Sequence, residues 1–288
     1  MALYPSPVGV IALATQHGKE RVMAKPLWHG LGLTVRRAEQ VDTDLFGSFS
    51  GEQQRPADAL TTCRLKAEAG IEALGVDLGV ASEGAFGPHP AVPLLPVGRE
   101  WITFVDRRLN VVISEHAVSR STNFSSCFGV SPAAIADWLK QVGFPSHALM
   151  LKSHDGEVGR TGPWLAKGVR CQQQLTELMA VAVQDSPVGL AWVETDMRAH
   201  CNPTRMASIR RLTFRLVRRL ASPCPSCAAP GWGLVNTMVG LPCRWCGLAT
   251  ELVSVEVFGC AACGHTRQQP RRDGLTSADP AHCPYCNP

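Results

Sequence analysis

Eight cysteines between Cys224 and Cys286 fall into four Cys-x-x-Cys pairs: Cys224/Cys227, Cys243/Cys246, Cys260/Cys263 and Cys283/Cys286. A pair at this spacing puts two thiolates on one side of a tight loop. Two such loops facing each other close a tetrahedral four-sulfur site that suits Zn²⁺. The pattern predicts two zinc ions, both structural, because a four-thiolate shell leaves no open position for a substrate water. The segment has few long apolar stretches and cannot bury enough surface to fold alone, so metal is expected to supply much of its folding free energy. The gaps between pairs are 15, 13 and 19 residues. Those of 15 and 19 lie in the zinc-ribbon range, which favours first loop with second and third with fourth. The crossed arrangement, first with third and second with fourth, stays open. Gly247 and Gly264 follow the second cysteine of their loops, where positive φ is expected. His265 and His282 neighbour the loops and read as surroundings rather than ligands.

The chain has 288 residues, enough for a sizeable domain ahead of this tail. At 45% hydrophobic and 18% charged it can build a core and is not a disordered polyelectrolyte. The net charge of +4 does not itself indicate a nucleic-acid binder. No run approaches the ~20 apolar residues of a membrane span, and the first residues lack the pattern of a secretion signal. A cytoplasmic protein without a membrane partner is therefore expected, with cysteines that serve as thiols or metal ligands.

Before the tail, apolar runs alternate with helical patterns. Strands are expected at 8–14, 33–37, 78–82, 147–152 and 190–194, and a hairpin over 101–105 and 111–114. Helices are expected over 18–30, 57–74 closed by Gly75, 131–142 stopped by Gly143, 172–183, and 203–220 opened by Pro203. Glu83 to Pro96 is dense in Gly and Pro and predicts an irregular loop. The polar stretch 42–55 also reads as a loop. The pattern implies an α/β fold, a mixed sheet with flanking helices over 1–221, then a small zinc-ribbon domain over 222–288.

Two segments carry chemistry. Ala14-Thr15-Gln16-His17-Gly18-Lys19 joins the first strand to the first helix, where backbone amides and a lysine can hold an anion such as a triphosphate; an ordinary strand-to-helix turn gives the same pattern. Residues 192–206 place Glu194, Asp196, Arg198, His200 and Asn202 ahead of a helix that carries Thr204 and Arg205. There Arg198 and Arg205 could clamp a phosphate and Glu194 or Asp196 could act as base or metal ligand; Asn202 could cap the helix instead, and the loop as a whole could be a salt-bridged scaffold at the domain junction. Cys201 is a weak candidate nucleophile, without a clear orienting base. Arg210, Arg211, Arg215, Arg218 and Arg219 line one side of that helix and could follow a nucleic-acid backbone, or simply be a solvated face.

The first of these segments resembles the Ala-Thr-Gly-Asn-x-Gly-Lys entry of the inosine triphosphate pyrophosphatase-like superfamily, with one residue fewer and His17 where that superfamily has Asn. Phe49 to Glu52, the helix carrying Lys66, and Leu78 to Gly84 with Glu83 follow in similar order, and Thr204-Arg205 resembles part of its Ser-His-Arg motif. The resemblance implies an elongated α/β sheet and Mg²⁺-dependent cleavage of a nucleoside triphosphate. Glu83 and Glu52 would then be the metal-binding carboxylates, with Asp42 and Asp44 in reserve, and Thr15, His17 and Lys19 the phosphate contacts. The whole chain also resembles a bacterial family of unknown function with a cysteine-rich tail. The readings are thus a nucleotide hydrolase, and a non-catalytic module that binds nucleic acid or protein through the arginine helix and the zinc ribbons. Oligomeric state is not legible.

Overall fold

The computed structural model describes residues 9–47, 53, 55–89, 92–156 and 163–287. The chain opens with β1 (Val10–Leu13), α1 (Glu20–Leu31), β2 (Thr34–Arg37), α2 (Ala59–Leu74) and β3 (Leu78–His89). Then come β4 (Val92–Asp106) and β5 (Val111–Ser119). These strands form a five-stranded sheet of order β2-β1-β3-β4-β5. β1 is parallel to β2 and β3, whereas β3, β4 and β5 pair antiparallel. The sheet is mixed, as expected. Gly75 ends α2 with φ 61°, the left-handed cap that its position predicted.

The stretch expected to be an irregular loop is instead the long arm of a hairpin. β3 and β4 stay paired from Leu78↔Asp106 out to His89↔Val92, with Pro88 opposite Pro96. Register explains why prolines fit. β1 reaches only to Val80 along β3, and β5 reaches only to Gly98 along β4. Pro88 and Pro96 therefore stand on strand segments that are open on their outer sides, where a missing N–H costs no ladder bond.

A second sheet was not foreseen. It consists of β6 (Ser126–Gly129), β7 (Leu149–Ser153), β8 (Ala166–Val169) and β9 (Ala191–Thr195), in the order β6-β9-β7-β8 and fully antiparallel. α3 (Ala136–Val142) and α4 (Gln172–Gln184) cover it. Their Leu139, Val142, Leu175 and Met179 pack with Leu149, Leu151 and Val193 in one core. β6 and β8 have four residues each, one a glycine, too short for an alternating pattern to register.

α5 (Pro203–Leu220) ties the parts together. It follows β9 and packs Ile209, Leu212, Leu216 and Leu220 into the core made by Met23, Leu27, Leu31, Ile102 and Phe104. α1 and α5 thus cover one face of the first sheet, and α2 covers the other with Cys63, Ala67 and Ile71 against Ala81 and Val105. After α5 come β10 (Gly233–Val239), β11 (Val253–Gly259) and β12 (Thr266–Pro270), an antiparallel sheet of order β10-β11-β12. Among the described residues no helix is long and apolar enough to cross a membrane.

α2 lies so close to β3 that a Cβ on Gly79 would come within 2.5 Å of the Ala67 carbonyl oxygen. Backbone on both sides cannot yield as a side chain would. Gly79→Ala is therefore expected to destabilise the protein by about 1–3 kcal/mol, the usual cost of overpacking. A denaturant midpoint unchanged by that substitution would refute the close approach.

Candidate functional site

The tail sheet explains how its cysteines meet. The first Cys-x-x-Cys loop precedes β10 and the third follows β11. Because the two strands run antiparallel with Gly233 opposite Gly259, the start of one lies beside the end of the other. Cys224 and Cys227 therefore gather with Cys260 and Cys263, and Cys243 and Cys246 gather with Cys283 and Cys286. The favoured sequential pairing is corrected to the crossed one. Gap lengths cannot reveal that the second loop sits at the turn end of a β-hairpin, away from the first.

Within each group the four sulfurs lie within 4.8 Å of one another. The cross-loop contacts are 3.8 Å for Cys224–Cys263, 3.7 Å for Cys227–Cys260, 3.9 Å for Cys243–Cys286 and 3.6 Å for Cys246–Cys283. A tetrahedron with Zn–S bonds of about 2.3 Å has edges of about 3.8 Å. Each group could hold a metal ion of that size. All four loops close alike: the amide after the second cysteine donates to the carbonyl of the first, from Ala228, Gly247, Gly264 and Asn287 at 2.9–3.1 Å. Gly247 and Gly264 have φ of 73° and 71°, as expected, and Ala228 holds the same position at φ 58° despite its Cβ.

A second site forms where β1 ends. β1 leads into the turn that starts α1, while β3 continues past it, exposing Ser82 and Glu83 to that turn. β2 and β3 lie on opposite sides of β1, so the chain crosses over here, the place where parallel strands open a crevice. Thr15, His17, Lys19, Asp44, Lys66 and Glu83 line a pocket there. The Glu83 carboxylate bonds to Lys66 and lies 3.2 Å from an Arg55 nitrogen. Lys19 donates to the Ser82 carbonyl. Burial lowers the Lys19 pKa to about 8, aided by Arg205 and opposed by Glu83. Burial opposes ionisation of Glu83, but Lys19, Lys66 and Arg55 hold its pKa below the ordinary value. His17 is driven down to about 2, first by burial and then by Lys19, so it is neutral.

The sequence thus located Thr15, His17, Lys19 and Glu83, held Asp44 in reserve, and placed Lys66 on the helix that carries part of the resemblance. Arg55, at the end of a polar loop, was missed, because nothing in its local sequence sets it apart from a solvated loop charge. Glu52 lies outside the described residues.

The stretch 192–206 divides. His200 reaches the pocket's edge and stacks on His17, ring centroids 5.1 Å apart. The other candidates have structural partners. Both Asp196 carboxylate oxygens accept from Arg198, with Nη2 to Oδ2 at 2.6 Å. Asn202 caps α5 by accepting from the Arg205 amide at 2.9 Å, the alternative open from the sequence. Arg205 is buried against Glu100 on β4 and donates to the Met197 carbonyl at 2.6 Å. Glu194 is buried within β9, opposite Ser126 and Met150. Burial, then Asp196, pushes the Cys201 thiol up to about 11, which disfavours the nucleophilic thiolate. Among the described residues the only groups of three or more metal-ligating side chains are the two cysteine sets. Among the described residues no donor set answers to the expected Mg²⁺, and the oxygens of Glu83 and Asp196 are held by cations.

A family model described as a domain of unknown function (DUF6671) matches residues 66–288, and the chain belongs to that family. No curated protein and no solved structure matches it.

Ala228 adopts a conformation that costs a residue with a Cβ about 1 kcal/mol relative to glycine. Because loop folding and metal binding are coupled, Ala228→Gly should let the first site hold metal up to about fivefold more tightly. Competition with a chromogenic chelator measures this, and weaker retention would contradict the strain.

Proposed function

We propose that this family member is a two-zinc protein whose α/β part, residues 1–221, binds the phosphates of a nucleotide at the β1–α1 turn. The zinc ions organise the tail, residues 222–288. The zinc reading is supported by the tetrahedral spacing of the two sulfur sets and by a donor chemistry that favours Zn²⁺ over hard cations. Once loaded, each site is closed by thiolates and serves folding rather than catalysis.

One observation carries the nucleotide reading. Lys19 and Lys66 are both buried in the pocket around one buried carboxylate, Glu83, while the other lining carboxylate, Asp44, is only half-buried. The Arg205 charge is taken up by Glu100. The fully buried part of the lining thus sets two lysines against one carboxylate, in a place where charge is costly to bury unmatched. A phosphate would supply the missing anion, with Thr15 and the turn amides as further donors. Neutral His17, stacked with His200, provides a flat wall beside it. Any Mg²⁺ would arrive with the nucleotide. Hydrolysis to monophosphate and pyrophosphate is what the superfamily resemblance implies, and it is assayed alongside binding.

Two outcomes are expected. Metal analysis should return two zinc ions per chain, and exhaustive chelation should abolish the tail's protection from hydrogen exchange; a tail that stays protected without metal defeats the structural role. A nucleoside triphosphate with Mg²⁺ should raise the melting temperature, and Lys19→Met should weaken its binding at least tenfold. The binding form is Lys19 protonated, and its pKa is about 8. Affinity should hold below pH 8 and fall above it, by at most about tenfold per pH unit. No shift in melting temperature with any nucleotide, or an affinity flat from pH 7 to 9.5, would reject the site.

A further inference from the structure

The tail packs beside the first sheet and leaves a groove between them. Arg219 fixes its floor. The Arg219 guanidinium donates to the Ser114 carbonyl at 2.9 Å, to Glu115 at 3.0 Å and to the Gly231 carbonyl at 3.2 Å, pinning α5 to β5 and to the start of the tail. Gly231 sits so close to Ile113 that a Cβ would lie 2.1 Å from its Cδ1. The groove has a volume of about 370 Å³, within the range of ~300–1,000 Å³ typical of small-ligand clefts.

The lining comes from three distant parts of the chain: β5, the last turns of α5 and the tail sheet. It carries four arginines, Arg215, Arg218, Arg219 and Arg272. Two carboxylates answer them: Glu115 pairs with Arg215 and Arg219, and Glu256 pairs with Arg272. Arg218 is exposed and has no ion-pair partner among the described residues. The opposite wall is aromatic. Trp232 lies 6.4 Å from Phe258 between ring centroids, and Arg272 sits over the Phe258 ring at 5.4 Å. Leu234 and Arg267 flank Phe258 in register on the neighbouring strands, and so share its face.

We infer that this groove binds a single-stranded nucleic acid, with Arg218 and Arg272 on the phosphates and Trp232 and Phe258 as the surface on which a base stacks. Surplus guanidinium charge along one wall follows a phosphate backbone, and flat rings on the other accept bases without sequence preference. An acidic protein segment would satisfy the arginines but would leave the aromatic wall without a planar partner. A duplex does not present its base faces and does not fit a cleft of this size. The groove is separate from the phosphate pocket at the β1–α1 turn and shares none of its residues.

The test is fluorescence anisotropy of a labelled mixed-sequence single-stranded oligonucleotide with the full zinc-loaded chain, titrated at several salt concentrations. Binding should weaken steeply with salt. Arg218→Ala/Arg272→Ala should weaken it at least tenfold and reduce the slope of log K against log salt by about 1.4, two single-strand phosphate contacts at ~0.7 each. Phe258→Leu, which keeps an apolar side chain, should cost at least about fivefold while the double variant's salt slope is not reproduced. Zinc content and circular dichroism establish that each variant is folded. Competition by unlabelled oligonucleotide should exceed competition by polyglutamate or by duplex of equal length. No binding at low salt, an affinity untouched by the double variant, or equal competition by polyglutamate would each overturn the inference, the last in favour of an acidic protein partner. Mononucleotide competing as well as oligonucleotide would also overturn it, since the site would then read one unit and not a strand.

Discussion

Charge buried away from water is the constraint on which this structure turns. Lys19, Lys66, Glu83, Glu100 and Arg205 are all withdrawn from solvent, within one neighbourhood where the first sheet meets α1, α2 and α5. An isolated buried ion costs several kcal/mol, so such groups must lie close enough to compensate one another. Glu100 with Arg205 and Glu83 with Lys66 do this across the ends of elements far apart in sequence. Burial pushes the Glu100 pKa up even with Arg205 beside it, and pulls the Lys19 pKa down, which shows how dry the surroundings are. A cluster of this kind ties α2 and α5 to the first sheet, because a displacement that parted Glu83 from Lys66 or Glu100 from Arg205 would leave a buried charge unpaired.

The same requirement gives α5 its place. At its first turn Asn202 caps the helix and Arg205 reaches down to β4. At its last turn Arg219 reaches β5 and the tail. Between these polar anchors Ile209, Leu212, Leu216 and Leu220 enter the core with helical spacing. One helix thus joins the second sheet, which supplies its cap through Asp196 to Asn202, to the first sheet and to the cysteine-rich segment. Residues dense in charge at a strand-to-helix junction resemble an active site, yet three of them here are the fastenings of this joint.

What could be read in advance follows from how local the signal was. α5, α4, the β4–β5 hairpin and the stops at Gly75 and Gly143 rest on periodicity and capping, which act within a few residues. The β1–α1 turn with Thr15, His17 and Lys19 was legible for the same reason. The long β3–β4 arm was hidden because a proline's tolerance depends on whether another strand lies alongside, a fact of topology. The pairing of Cys224 with Cys260 rather than Cys243 was hidden for a related reason: it depends on the antiparallel register of β10 and β11. A salt-bridged loop was among the readings open from the residues, and Arg198 with Asp196 fits it; that Arg205 would pair with Glu100, 105 residues away on β4, depends on the fold.

The tail shows the opposite solution to the same problem. Every residue of β10 after Gly233 is exposed, including Leu234, Val235, Met238 and Val239. Only the inner cysteine of each loop is well buried, with Leu241, Thr250, Ala278 and Pro280 nearby in the small interior. A three-stranded sheet exposed on this scale has too little apolar burial to offset the entropy of ordering its chain. The two sulfur sets lie at opposite ends of that sheet, so each one closes an end that packing leaves open. Where the α/β part gathers buried charges of both signs in one neighbourhood, the tail gathers four cysteine sulfurs at each end. A divalent cation at each set would offset the repulsion of four thiolates and supply folding free energy that packing does not.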